Sequence, residues 1–246
     1  MSLKESERLP NPTTILTGFL GSGKTTYLNH LLNENPETKF AIIENEYGEQ
    51  SIDSDLIMRA EDNIVELNNG CLCCTLNENL YEILNELYHK RDEFSELIIE
   101  ATGIADPRGL AAPFLTNPAI KKQFPLRQVI CLVDGALIDQ QLEETEEAIH
   151  QITFSDVLII NKTDLIHQDK IDRLTKKLNR LNPLAKIALG NKSNFPTIHM
   201  KLGESFSENV DETENQIFPI QKPTPHHHHS HTDGLVSHTL RFDRPN

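Results

Sequence analysis

Residues 18–25 read G-F-L-G-S-G-K-T, a G-x-x-x-x-G-K-[ST] octapeptide, and few patterns of this length restrict a fold so far. A loop of this kind turns its backbone N–H groups inward around phosphate. Side chains at the turning points would obstruct that turn, so Gly18, Gly21 and Gly23 suit it. The loop also needs a strand leading in and a helix leading out, because the helix N-terminus adds its dipole to the anion site. Both are expected here. Thr13, Thr14, Ile15, Leu16 and Thr17 favour a strand, and residues 26–32 read as a helix. Lys24 supplies a mobile cation for the β- and γ-phosphates, and the Thr25 hydroxyl is placed to ligate Mg²⁺.

The rest of the chain extends that local reading. Apolar runs at 40–43, 96–99, 128–133 and 157–160 are short, continuous and bounded by polar residues, the pattern of strands buried on both faces of a parallel sheet. Between them, Leu80, Ile83, Leu84 and Leu87 recur at helical spacing within 79–91, and Ile171, Leu174 and Leu178 do so within 170–181. The alternation predicts an α/β fold, a doubly wound, mostly parallel sheet of the P-loop nucleoside triphosphatase type. Its ligand is expected at the carboxyl ends of the strands. We expect this domain over 1–203, and an acidic and then His-rich linker over 204–234 that includes His226, His227, His228, His229 and His231. Residues 235–246 read as an orphan strand, the expected start of a further domain. Residues 188–192 give no clear signal for a loop on the guanine side.

Composition narrows the partners. A net charge of −14 is unfavourable for nucleic acid and for anionic lipid. No apolar run approaches a membrane span, and the first eight residues lack a signal-peptide core, so a cytoplasmic protein is expected. Its four cysteines are then expected as reduced thiols, either metal ligands or core residues.

Two further motifs point to the nucleotide. Glu100 ends an apolar strand, with Gly103 three residues on. A carboxylate there can hold Mg²⁺ or orient water, and the glycine can bring a backbone N–H to the γ-phosphate. Asn161, Lys162 and Asp164 form N-K-x-D. The aspartate accepts from the ring N1–H and amino group of guanine, where adenine offers no equivalent pair. The asparagine braces the loop, and the lysine stem packs over the base. The expected nucleotide site is therefore Gly18, Gly21, Ser22, Gly23, Lys24, Thr25, Thr26, Gly103, Asn161, Lys162 and Asp164, and the expected nucleotide is GTP. Lys24 is the expected charge stabiliser. Glu100 and Asp106 are candidates for the catalytic base, and neither stands out.

Cys71, Cys73 and Cys74 set this chain apart from an ordinary nucleotide switch. Soft thiolates select Zn²⁺ and similar ions, with four-coordinate zinc completed by His, carboxylate or water. Adjacent Cys73 and Cys74 are poorly placed to share one ion, so one or two ligands are expected from this segment. Cys131, inside an apolar run, reads as a core residue. Glu44 and Glu49 follow the second strand and form part of an acidic cluster that needs cations to offset it.

Taken together, T-G-F-L-G-S-G-K-T-T at 17–26, E-N-E-Y-G-E at 44–49, N-G-C-L-C-C at 69–74, E-A-T-G at 100–103 and A-D-P at 105–107 resemble the YjiA branch of the CobW-like metallochaperone GTPases, relatives of the urease and hydrogenase nickel-insertion GTPases. The resemblance covers roughly 11–200. It implies a slow GTPase that binds zinc, with cobalt or nickel as alternatives, between its nucleotide-sensitive loops and the cysteine motif. It also implies Cys71, Cys73 and Cys74 as metal residues, with Glu44 and Glu49 as partners. A client metalloprotein is the implied recipient, and a homo-oligomer remains open. Family members usually continue into a full C-terminal domain. Two rival readings stand beside this one: a metal buffer or sensor with no client, tuned by nucleotide, and a small-molecule kinase, which N-K-x-D disfavours.

Overall fold

The computed structural model describes residues 9–44, 64–66, 76–192 and 194–196, and for 44, 64–66 and 76–79 it describes the backbone alone. Among these residues seven strands form one sheet: β1 Thr13–Gly18, β2 Phe40–Glu44, β3 Ile64–Glu66, β4 Glu96–Glu100, β5 Leu126–Asp134, β6 Val157–Asn161 and β7 Lys186–Leu189. Their order is β3-β2-β4-β1-β5-β6-β7, and every pairing is parallel. The helices are α1 Lys24–Glu34, α2 Leu76–Lys90, α3 Pro107–Thr116, α4 Pro118–Gln123, α5 Ile138–Glu144, α6 Glu146–Thr153 and α7 Gln168–Leu181.

The continuous apolar runs have a plain cause, since alternate side chains of each strand enter different cores. Ile15, Ile43, Leu97, Ile99 and Val129 face Leu80, Leu84 and Leu87 of α2 and Leu110 and Phe114 of α3. Leu16, Ile42, Ile98, Ile130 and Leu132 turn the other way, against Tyr27, Leu28 and Leu32 of α1. Cys131, Val133, Leu158 and Ile160 meet Ile138 of α5, Ile152 of α6 and Leu174 and Leu178 of α7. A polar residue within these runs loses its hydration, so apart from Glu96 and the buried Gln128 at their starts the sequence keeps them apolar. Cys131 is a core residue, and burial pushes its thiol up to about 12.

The strand order also sets where a ligand can lie. β1 has β4 on one side and β5 on the other, so the connections diverge from it in both directions. Such a switch point opens a crevice at the carboxyl ends of the strands. Three of the sequence motifs arise there, at the ends of β1, β4 and β6. No helix among the described residues is long and apolar enough to cross a membrane.

Candidate functional site

The loop between β1 and α1 turns through three left-handed glycines, Gly18 at φ 137°, Gly21 at φ 72° and Gly23 at φ 100°. Two of them are constrained by space as well. A Cβ on Gly18 would strike the Leu132 carbonyl, and one on Gly23 would strike the Asn161 side-chain amide. The Lys24 ammonium lies back across the loop, donating to Gly18 O at 3.0 Å and Phe19 O at 3.3 Å. Positive charge and helix N-terminus thus converge on one loop, which suits a phosphate chain.

Register brings the second motif in. Leu16 of β1 stands opposite Glu100 of β4, and Ala101 N donates to Leu16 O at 2.8 Å. The Thr25 hydroxyl donates to Glu100 Oε1 at 3.1 Å. Threonine oxygen and carboxylate oxygen are both hard donors, and this pair fits a magnesium ion that keeps several of its waters. Gly103 lies against the phosphate loop so closely that a Cβ there would be 2.5 Å from Leu20 N. Across β2, Glu44 is the register partner of Glu100, so its backbone adjoins the same edge.

Asp106 has a different setting. It caps α3, accepting from Arg108 N at 2.9 Å, and its two oxygens take a forked pair from the Arg108 guanidinium. That hydrogen-bonded guanidinium holds the Asp106 carboxyl below its ordinary value, which makes it a poorer proton acceptor. Arg108 Nη2 also meets His150 Nδ1 at 3.0 Å, tying α3 to α6.

The third motif reaches under the loop. Asn161 is nearly buried and its Nδ2 donates to Ser22 O at 2.8 Å. Lys162 takes a left-handed backbone, φ 59°, and its ammonium pairs with Asp134 at 2.7 Å. Asp134 ends β5 with its carboxylate buried, and its other oxygen accepts from Ala136 N and Leu137 N. Asp164 sits in a short 3₁₀ turn, Thr163–Leu165, with Lys192 at 3.6 Å. It helps line an open cavity of about 440 Å³ with Asn191, Asn194 and Phe195, within the range of small-ligand sites. The segment after β7, unread in the sequence, is fastened here: Gly190 O accepts from Thr163 Oγ1 at 2.9 Å.

Asp134, Gly190 and Gln151 escaped the sequence reading. Gln151 on α6 is buried, and its amide donates to Gly103 O at 3.1 Å and Ala105 O at 3.2 Å. Two of the three had a faint signal. Asp134 ends an apolar strand as Glu100 does, and Gln151 is a polar residue on the stripe of Ala148, Ile152 and Ser155. Cys71, Cys73, Cys74 and Glu49 lie outside the described residues, as do 204–246. Among the described residues no group of three His, Cys, Asp or Glu side chains could hold a metal ion.

A parallel sheet with a glycine loop at its switch point, a lysine across that loop and a strand-end glutamate on the loop threonine defines a P-loop nucleotide-binding protein. The model of the CobW/HypB/UreG nucleotide-binding domain matches residues 12–188, and the chain belongs to that family. It is 38% identical over 182 residues to the zinc chaperone YjiA of Escherichia coli (strain K12), covering 72% of this chain and 57% of that protein. It is 36% identical over 185 residues to zinc-regulated GTPase metalloprotein activator 1 of Schizosaccharomyces pombe, covering 72% and 45%. The crystal structure of Zn(II)-bound YjiA GTPase from E. coli aligns with TM-score 0.56 at 30% identity, covering 86% of this chain and 68% of that one. HypB from Helicobacter pylori in complex with nickel, at 20% identity and TM-score 0.50, shares the fold, covering 74% of this chain and 79% of that one. The chain spans about half the length of the curated relatives it matches.

Proposed function

We propose that this chain is the nucleotide-binding part of a GTP-hydrolysing metallochaperone, which couples nucleotide state to the holding and transfer of a transition metal, zinc first. The observation that carries the proposal is the position of Glu100. Its side chain accepts from Thr25 in the nucleotide loop, while its backbone is the partner of Glu44 at the end of β2. One residue therefore adjoins both the phosphate site and the strand that leads into Glu44 and Glu49, two of the expected metal partners. The relatives described as a zinc chaperone and a zinc-regulated GTPase metalloprotein activator support the same direction.

The chain's own groups divide the work. Lys24 and the loop amides bind the phosphates and offset the charge that builds during hydrolysis. Thr25 and Glu100 would hold a magnesium ion, which supplies further charge neutralisation. Asn161 holds the loop from below, and Asp164 would read guanine. Cys71, Cys73 and Cys74, with Glu44 and Glu49, would take the zinc, cobalt or nickel cargo. GTP would order the loops around that cargo and hydrolysis would loosen them, in the cytoplasm and toward a client metalloprotein.

Zinc titration by calorimetry into protein bearing GDP or a non-hydrolysable GTP analogue tests the coupling. Linkage requires GTP and zinc to change each other's affinity equally, and a coupling of about 1–3 kcal/mol is typical. Cys73→Ser should remove most tight zinc binding, while deletion of 226–231 should remove only weaker sites. Equal zinc affinity in all nucleotide states would refute the coupling. Unchanged tight binding after Cys71, Cys73 and Cys74 are all replaced by Ser would refute the site.

A further inference from the structure

We infer that Gln151 is a positioning residue for the loop 101–105, and that its side-chain amide sets how strongly the site distinguishes a nucleoside triphosphate from a diphosphate. The inference rests on the nucleotide-switch reading above and adds a residue to it. Gly103 is held from two sides. On one side the phosphate loop leaves no room, since a Cβ on Gly103 would be 2.5 Å from Leu20 N and 2.7 Å from Leu20 Cα. On the other, Gln151 Nε2 reaches across 48 residues of chain to Gly103 O at 3.1 Å, and across 46 to Ala105 O at 3.2 Å.

Both protons of one amide are committed to this loop, in a place where Gln151 is only 1% exposed. The Gly103 carbonyl is buried and needs a donor, and the Ala105 carbonyl is partly buried beside it. The amide also stands on a firm base. Thr145 caps α6, Ser155 Oγ donates to Gln151 O at 2.6 Å, and Asn182 Nδ2 donates to Ile152 O and Ser155 O, each at 2.8 Å. Ile152 packs in the core with Leu174 and Leu178. A fixed helix therefore grips the carbonyls of a loop whose neighbouring face meets the phosphates. Any shift of Gly103 toward or away from a γ-phosphate changes the two distances to Gln151, so the loop moves against α6.

The test uses Gln151→Met, which keeps length and packing and removes both donors, and Gln151→Glu, which turns acceptors toward the two carbonyls. Ser155→Ala serves as a control that loosens the same helix turn and leaves the amide in place. Affinities for GDP and for a non-hydrolysable GTP analogue are measured with fluorescent nucleotides, beside thermal unfolding. Loss of two hydrogen bonds should change the analogue-to-GDP affinity ratio by about tenfold in Gln151→Met, while Ser155→Ala lowers the melting temperature and keeps the ratio. The inference is overturned if either folded Gln151 variant keeps the wild-type ratio, or if Ser155→Ala shifts it equally. If the unaltered protein prefers ATP, the guanine reading fails by itself, and the same ratio measured with ATP analogue and ADP still decides the role of Gln151.

Discussion

Replacing Gly103 with alanine isolates the contact between the 101–105 loop and the phosphate loop. Gly103 is not among the left-handed glycines, so alanine carries no backbone penalty there, and the effect must come from space. The new methyl would meet Leu20 N at 2.5 Å and Leu20 Cα at 2.7 Å. Both are backbone atoms, so no rotamer change can relieve the contact. Restoring ordinary separation needs an opening of roughly 0.9 Å, and neither loop yields freely, because Asn161 pins the phosphate loop at Ser22 and Gln151 holds Gly103 and Ala105. A misplacement of about 1 Å near the reacting groups costs on the order of 10²-fold in rate, or about 2.7 kcal/mol of barrier. Single-turnover hydrolysis of GTP with protein in excess reads the rate, and a GDP titration with a thermal melt reads the fold and the diphosphate site. We expect hydrolysis slowed about a hundredfold, with GDP affinity within a few-fold of wild type. Wild-type hydrolysis by Gly103→Ala would refute the reasoning, because the close approach of Gly103 to Leu20 would then be irrelevant to chemistry.

Lys24→Ala should abolish measurable turnover and leave the fold intact, since the lysine's bonds to Gly18 O and Phe19 O belong to a ligand loop; circular dichroism and phosphate release check both halves. Asp164→Asn should weaken GTP and relax discrimination against xanthine nucleotides, read by competition binding; equal GTP and ATP binding by the unaltered protein would sink it. Asp106 has a folded pKa depressed from 3.8 by Arg108, so its contribution is present above that value and lost as pH falls through the lower folded one. The pair is well exposed, so urea midpoints should fall only shallowly under acid, and less so in Asp106→Asn, which keeps the cap. Cys131, pushed up to about 12, should resist alkylation at pH 8 until denaturant is added, as peptide mapping would show.

The five strands legible in the sequence are the inner five of the sheet, where side chains such as Ile98, Ile130 and Ile159 are buried in a core. The two it missed lie at the sheet edges. β3 has three residues, and β7 carries Lys186 and a half-exposed Leu189, so neither shows an uninterrupted apolar run. The short helices α3 to α6 were also unread, although Asp106 before Pro107 is a recognisable start, a capping residue and then proline at the first helical position. At the site, glycines and strand-end carboxylates were visible because backbone shape and charge demand those residue types. Asp134 and Gln151 were not, because their function is to hold other residues, and only a tertiary contact reveals which. The cysteine motif was prominent in the sequence and falls outside the described residues.

The bond from Asn161 to Ser22 joins residues 139 apart in the chain. On a ribosome adding roughly 5–20 residues per second, Ser22 precedes Asn161 by about 7–28 s. Through that interval the phosphate loop has its glycines and its lysine but lacks the amide beneath it. β1 likewise waits for both sheet neighbours, β4 and β5. A nucleotide can stabilise by mass action only a chain that has already formed its binding site. Nascent chains stalled before and after residue 161 should therefore differ abruptly in the protection that added nucleotide gives against protease, a clock read directly from the strand order.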